Sequence, residues 1–140
     1  MTRHELYEFL RLHDHAVIAT VDGDGRPEAA LVGVAVLPGL ELVLDTSQLS
    51  RKYRNLQSNP QVALVIGWRD RLTLQYEGLA CEPVGAELQH SKQAYFARFP
   101  DARLREAWPD TAYLLVRPRW LRYCDYGVEP PRIVEMTLAD

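Results

Sequence analysis

The feature that most constrains this chain is a rhythm of apolar strands divided by turn residues rather than by helices. Residues 15–22 alternate, with Val17, Ala19 and Val21 on one face and Ile18 and Thr20 on the other, the period of two expected for a half-buried strand. Asp22-Gly23-Asp24-Gly25 follows as a turn signal, so a hairpin is expected there. The next strand, Glu28 to Leu37, is apolar on both faces, as suits a strand inside a barrel or at a subunit contact. Pro38-Gly39 turns the chain, and Glu41 to Asp45 reads as a third strand. Two more strands lie at 61–68 and 72–82, joined by the charged turn Arg69-Asp70-Arg71. A long last strand spans 111–126, where Pro118 implies a bulge or an unpaired edge position.

Helical patterns fall around this frame. Thr2 and Glu5 have capping-box spacing ahead of Leu6, Phe9 and Leu10. Ser50 to Ser58 suits a short helix, ended by Asn59-Pro60. Leu88, Tyr95, Phe96 and Phe99 recur at helical spacing over 85–98, and 101–108 has room for two further turns. A doubly wound α/β fold needs a helix between most strands. The order here instead predicts a mainly β (α+β) fold, an antiparallel sheet of about six strands closed into a barrel with short flanking helices.

Size and charge narrow the classes. A chain of 140 residues and 16.0 kDa buries about two-thirds of its unfolded surface, enough for one domain spanning 1–140. The net charge of −3 argues against a general nucleic-acid surface. The apolar run Ala29 to Leu40 contains Pro38-Gly39 and is too short to cross a bilayer. Charges at Arg3, Glu5, Glu8 and Arg11 leave no signal-peptide core. Cys81 and Cys124 fit neither zinc nor disulfide spacing. A cytoplasmic protein with reduced thiols, and no membrane or nucleic-acid partner, is expected.

The most informative chemistry lies in Thr46-Ser47-Gln48-Leu49-Ser50-Arg51-Lys52, where three hydroxyls and two cations meet at a helix start. A helix amino terminus offers free N–H groups and a positive dipole end, so Arg51 and Lys52 in the first turn conflict with the dipole. A bound phosphate relieves that conflict; a solvated helix start with Ser50 as an ordinary cap is the plainer alternative. Elsewhere no nucleotide-binding glycine loop, metal spacing or nucleophile motif occurs. His13-Asp14-His15 reads as a loop rather than a metal site, because spacing places no third ligand. No catalytic side chain is identifiable, which favours chemistry carried by a cofactor. Trp68, Trp108 and Trp120 are candidates for stacking on a planar ligand or for burial.

Several segments taken together resemble the pyridoxamine 5′-phosphate oxidase-like family of FMN-binding split β-barrels. They are His15-Ala16-Val17-Ile18-Ala19-Thr20-Val21 with Gly25-Arg26-Pro27, Asp45-Thr46, Ser50-Arg51-Lys52, Asn55-Leu56, Asn59-Pro60-Gln61-Val62-Ala63-Leu64 and Glu77-Gly78-Leu79-Ala80. The resemblance covers about residues 3 to 126. It implies a homodimer with FMN at the subunit interface and an FMN-dependent oxidoreductase acting on a small molecule. Thr46, Ser47, Ser50, Arg51 and Lys52 match the segment around the FMN phosphate. Val32 and Gly33 lie in the stretch Ala30 to Val34, which matches the family's strand beside the flavin ring. Gln75 falls near a family position that approaches the flavin, and Trp120 lies in the last strand, which in such proteins reaches the partner subunit's flavin.

The chain also departs from true pyridoxamine-phosphate oxidases. It has Glu28-Ala29-Ala30 where they carry a basic residue, and its 120–126 segment lacks their Arg- and His-containing motif. Vitamin B6 oxidation is therefore not the expected activity. Relatives of this barrel also use the deazaflavin F420 or haem, and a flavin-holding stress-response module without turnover is a further alternative. For haem, His90 lies on a polar helix face and makes a poor axial ligand.

Overall fold

A computed structural model describes residues 1–138. Helix α1 (Arg3–Arg11) opens the chain. Its capping box forms as the spacing predicts, with the Glu5 N–H donating to Thr2 Oγ1 at 3.1 Å and the Thr2 N–H donating to Glu5 Oε2 at 2.6 Å. Leu6, Phe9 and Leu10 are its buried stripe. Strands β1 (His15–Val21), β2 (Pro27–Gly33), β3 (Ala35–Val36) and β4 (Leu42–Ser47) follow, then helix α2 (Arg51–Ser58). Strands β5 (Gln61–Ile66) and β6 (Leu72–Cys81), helix α3 (Gly85–Arg98), a 3₁₀ segment at Pro100–Arg105, and strands β7 (Thr111–Asp125) and β8 (Arg132–Thr137) complete it.

All pairings are antiparallel, in the order β2-β1-β5-β6-β7-β4-β3, with β8 added beside β7. The sheet curls into a half-barrel with short helices, the expected fold class. The strand total exceeds the expected six for two reasons. The segment 28–37 is divided, and the extended tail pairs with β7 as β8.

The division explains why that segment is apolar on both faces. β2 lies at one end of the strand order and β3 at the other, with only Val34 between them in sequence. The chain leaves the edge of β1 at Gly33, the Val34 N–H donates to the Asp14 carbonyl at 2.9 Å, and residues 35–36 pair with β4. One short stretch therefore spans the two ends of the curled sheet.

The bulge that Pro118 implies forms in β7 where it pairs with β6. Gly78 pairs with Pro118 while the adjacent Glu77 pairs with Trp120, so Arg119 is the extra residue in β7. A Cβ at Gly78 would collide with the carbonyl of Arg117, so glycine permits the close strand approach there. The interior is built by alternation. Ala16 and Ile18 from β1, Val62, Leu64 and Ile66 from β5, and Leu74 and Tyr76 from β6 are buried. Both cysteines are free thiols. Among the described residues no helix is long and apolar enough to cross a membrane.

Candidate functional site

Helix α2 is fixed before its amino end can be used. Ser50 caps it, its Oγ accepting from the Tyr53 N–H at 3.2 Å. Asn55, buried on the inner face, donates through Nδ2 to Thr20 Oγ1 at 3.0 Å and to Glu28 Oε1 at 2.9 Å. Arg51 closes the same cluster, its Nη1 lying 2.8 Å from Glu28 Oε2. These contacts tie α2 to β1 and β2. The Asn55 amide, with the Arg51 guanidinium, holds the Glu28 carboxyl below its ordinary value.

The other side of the α2 start opens into a hollow of about 480 Å³, within the range of small-molecule sites. Val32 and Gly33 form one wall, and Thr46, Ser47, Ser50 and Lys52 form another. Thr46 Oγ1 and Ser50 Oγ share a hydrogen bond at 2.9 Å. No acidic residue occupies the first turn of α2, so hydroxyls, a lysine ammonium and a positive helix end converge. Six of the nine expected residues thus share one hollow. Arg51 is drawn to its rear by Glu28, a carboxylate 23 residues away that spacing alone does not pair with it.

Gln75 and Trp120 lie elsewhere in the chain, on the outer face of the sheet, in a shallow hollow with Val17, Ala19 and Val65. Cross-strand pairing explains how this face is built. Leu31 pairs with Val17, Val17 with Val65, Val65 with Gln75, and Gln75 with Arg122. Leu31, Val17 and Val65 are exposed despite being apolar. Trp68 and Trp108 are also exposed, at 53% and 59%.

His15, Asp45, Tyr95, Phe99 and Arg105 line the α2 hollow without having been singled out as site residues. Asp45 organises its far wall, accepting from Tyr95 Oη at 3.0 Å and from Arg105 Nε and Nη2 at 3.0 and 2.8 Å. Burial, and then the Asp45 charge, push the Tyr95 hydroxyl far above the ordinary tyrosine value, so it stays a donor. Tyr95, Phe99 and Arg105 come from α3 and the segment just after it, some 50 residues downstream in sequence. The Asp45-Thr46 pair was the one trace of this wall among the sequence segments.

The comparisons with known proteins agree with this architecture. The family model for pyridoxamine 5′-phosphate oxidase matches residues 2–125. A pyridoxine/pyridoxamine 5′-phosphate oxidase from Bordetella petrii is 34% identical over 123 residues, covering 82% of this chain and 56% of that enzyme. A second, from Rubrobacter xylanophilus, is 33% identical over 93 residues, covering 66% of this chain and 41% of that enzyme. The chain therefore spans only about half the length of these relatives. Among solved structures, a haem-binding protein from Mycobacterium smegmatis superposes with a TM-score of 0.84 at 22% identity, over 98% of this chain and 58% of that one. A pyridoxamine 5′-phosphate oxidase-related, FMN-binding protein from Nostoc punctiforme does so with a TM-score of 0.67 at 16% identity, over 99% and 92%. At such identities the superpositions speak for the fold. With nearly the whole chain matched by the family model, the protein belongs to the pyridoxamine 5′-phosphate oxidase family.

Proposed function

We propose that this chain is an FMN-binding protein and an FMN-dependent oxidoreductase acting on a small molecule. The observation that carries the reading is the convergence of Thr46, Ser47, Ser50 and Lys52 at the amino end of α2, in the hollow walled by Val32 and Gly33. That donor set suits a phosphate dianion: hydroxyl and amide donors, one lysine charge and the helix dipole. The apolar strand beside it suits a planar ring. Bound FMN supplies hydride and electron transfer at its ring system. The chain's own share is to hold the phosphate, orient the ring along β2 and limit water in the hollow.

The reading includes a homodimer. The outer face carries Leu31, Val17 and Val65 in one cross-strand row, and exposed apolar rows favour coverage by a partner. Gln75 and Trp120 on that face would then serve the second subunit's flavin. The family and an FMN-binding structural neighbour support the flavin part of the reading.

The test is an absorption spectrum of the purified protein followed by FMN titration. Saturable binding at one FMN per chain, weakened by Lys52→Ala, is the expected result. Absence of both bound flavin and FMN binding would overturn the reading.

A further inference from the structure

We propose that Cys81, in a second hollow lined by arginines, is a thiol–disulfide exchange site for small disulfides that carry carboxylates. This hollow shares no lining residue with the one at the start of α2, so the inference is independent of the flavin reading.

Cys81 does not stand alone. In the pairing of β6 with β7, Leu79 lies opposite Arg117 and Cys81 opposite Leu115, while Ala80 and Val116 pair between them. The period of two therefore puts Cys81 and Arg117 on one face, diagonal to each other. There Arg117 Nη1 donates to Cys81 Sγ at 3.1 Å, and Nη2 donates to Glu87 Oε2 at 2.6 Å. Glu87, on α3, thus anchors the guanidinium beside the sulfur. The thiolate is the nucleophile in disulfide exchange, and arginine is among the neighbours that stabilise it. Cys81 is half-buried and opens into the hollow, whereas Cys124 is buried.

The hollow measures about 680 Å³, larger than the one beside α2. Distant segments build it. Arg3 comes from the first turn of α1, Glu41 from just ahead of β4, and Arg117 and Arg119 from either side of Pro118 in β7. Three arginines against one lining carboxylate make it locally positive, on a chain whose net charge is −3. A guanidinium fork matches a carboxylate in shape and charge. Pro60 and Leu79 add apolar wall for the carbon chain of a ligand. Arg117 serves the sulfur, and Arg3 serves the carboxylate.

The exchange balances without a further reagent. The Cys81 proton goes to solvent, and the thiolate attacks one sulfur of the small disulfide. A new S–S bond joins Sγ to that half, the old S–S bond breaks, and the other half leaves as a thiolate. The Cys81 sulfur is oxidised and the departing sulfur is reduced, so the disulfide is itself the oxidant.

The experiment treats reduced full-length protein with three disulfides: dithiodiglycolate with two carboxylates, neutral hydroxyethyl disulfide, and cystamine with two ammonium groups. Intact mass follows the adduct and a digest locates it. Each rate is divided by that of N-acetylcysteine amide with the same disulfide, which removes the reagents' own reactivity. The adduct should form at Cys81 and not at Cys124. The corrected rate for dithiodiglycolate should exceed that for cystamine by about tenfold or more at low salt, and added salt should shrink the ratio. Arg3→Gln, at an exposed position, should slow dithiodiglycolate by about two- to fivefold, the scale of one exposed charge pair, and leave the neutral disulfide unchanged. Arg117→Gln should slow all three, with partial rescue by Arg117→Lys, and circular dichroism checks that the variants fold. An adduct on Cys124, a corrected rate that ignores reagent charge, or unchanged rates in both Arg3→Gln and Arg117→Gln would overturn the inference.

Discussion

Arg105 grips Asp45 through two nitrogens, Nε at 3.0 Å and Nη2 at 2.8 Å from the same carboxylate oxygen. The other oxygen accepts from Tyr95 Oη at 3.0 Å. One carboxylate thus joins β4, α3 and the 3₁₀ segment at the wall of the hollow. Asp45→Ala should strand both donors and cost about 1–3 kcal/mol of stability. Urea unfolding would measure this; a midpoint equal to wild type would show that the network contributes nothing.

The two cations of α2 should not be equivalent. Arg51 is already paired with Glu28, whereas Lys52 lines the hollow. Lys52→Ala should weaken FMN binding by about tenfold or more, the scale of a hydrogen bond to a charged group. Arg51→Ala should cost less. Equal losses in the two variants, by fluorescence titration, would argue that Arg51 turns toward the ligand.

Acid should loosen the anchorage of α2. The folded Glu28 carboxyl titrates below its ordinary value of 4.5, first because Asn55 donates to it and then because Arg51 does. A lowered folded value means that the stabilisation is complete above the unfolded value and is lost as pH falls through the folded one. Thermal melts at descending pH should therefore fall less steeply for Glu28→Gln than for wild type below about pH 4.5. Parallel curves would remove Glu28 from the account.

The bulge glycine should tolerate no side chain. A Cβ at Gly78 meets the Arg117 carbonyl, which is backbone and cannot swing aside. Gly78→Ala should destabilise by at least about 1–3 kcal/mol, the usual scale of forced overpacking. Gly23→Ala, at a position with open space around it, is the control and should change stability by less than about 1 kcal/mol.

The proposed dimer predicts a charge-sensitive face. Leu31 is 66% exposed and paired across the strands with Val17. Leu31→Asp should shift the sedimentation coefficient from dimer to monomer at micromolar concentration. A wild-type monomer at that concentration would exclude the interface.

Much of the fold was legible because it rests on local chemistry. The capping box at Thr2 and Glu5, the Ser50 cap, the Asp22 to Gly25 turn and the helix over 85–98 each depend on residues a few positions apart. Pro118 marked the bulge because its missing N–H cannot join a ladder. The cluster at 46–52 was legible for the same reason, since hydroxyls and cations at a helix start state their chemistry within one turn. Tertiary structure alone decided the rest. Glu28 captures Arg51 because β2 and α2 both pack against β1. The segment 28–37 breaks at Val34 because the two ends of the curled sheet meet there. Asp45, Tyr95 and Arg105 become one wall, and the Phe99 ring packs over Gly33, only through pairing and packing between distant segments. Local sequence sets the backbone's hydrogen-bond choices, whereas the partners of a charged side chain depend on which distant segments the core brings alongside it.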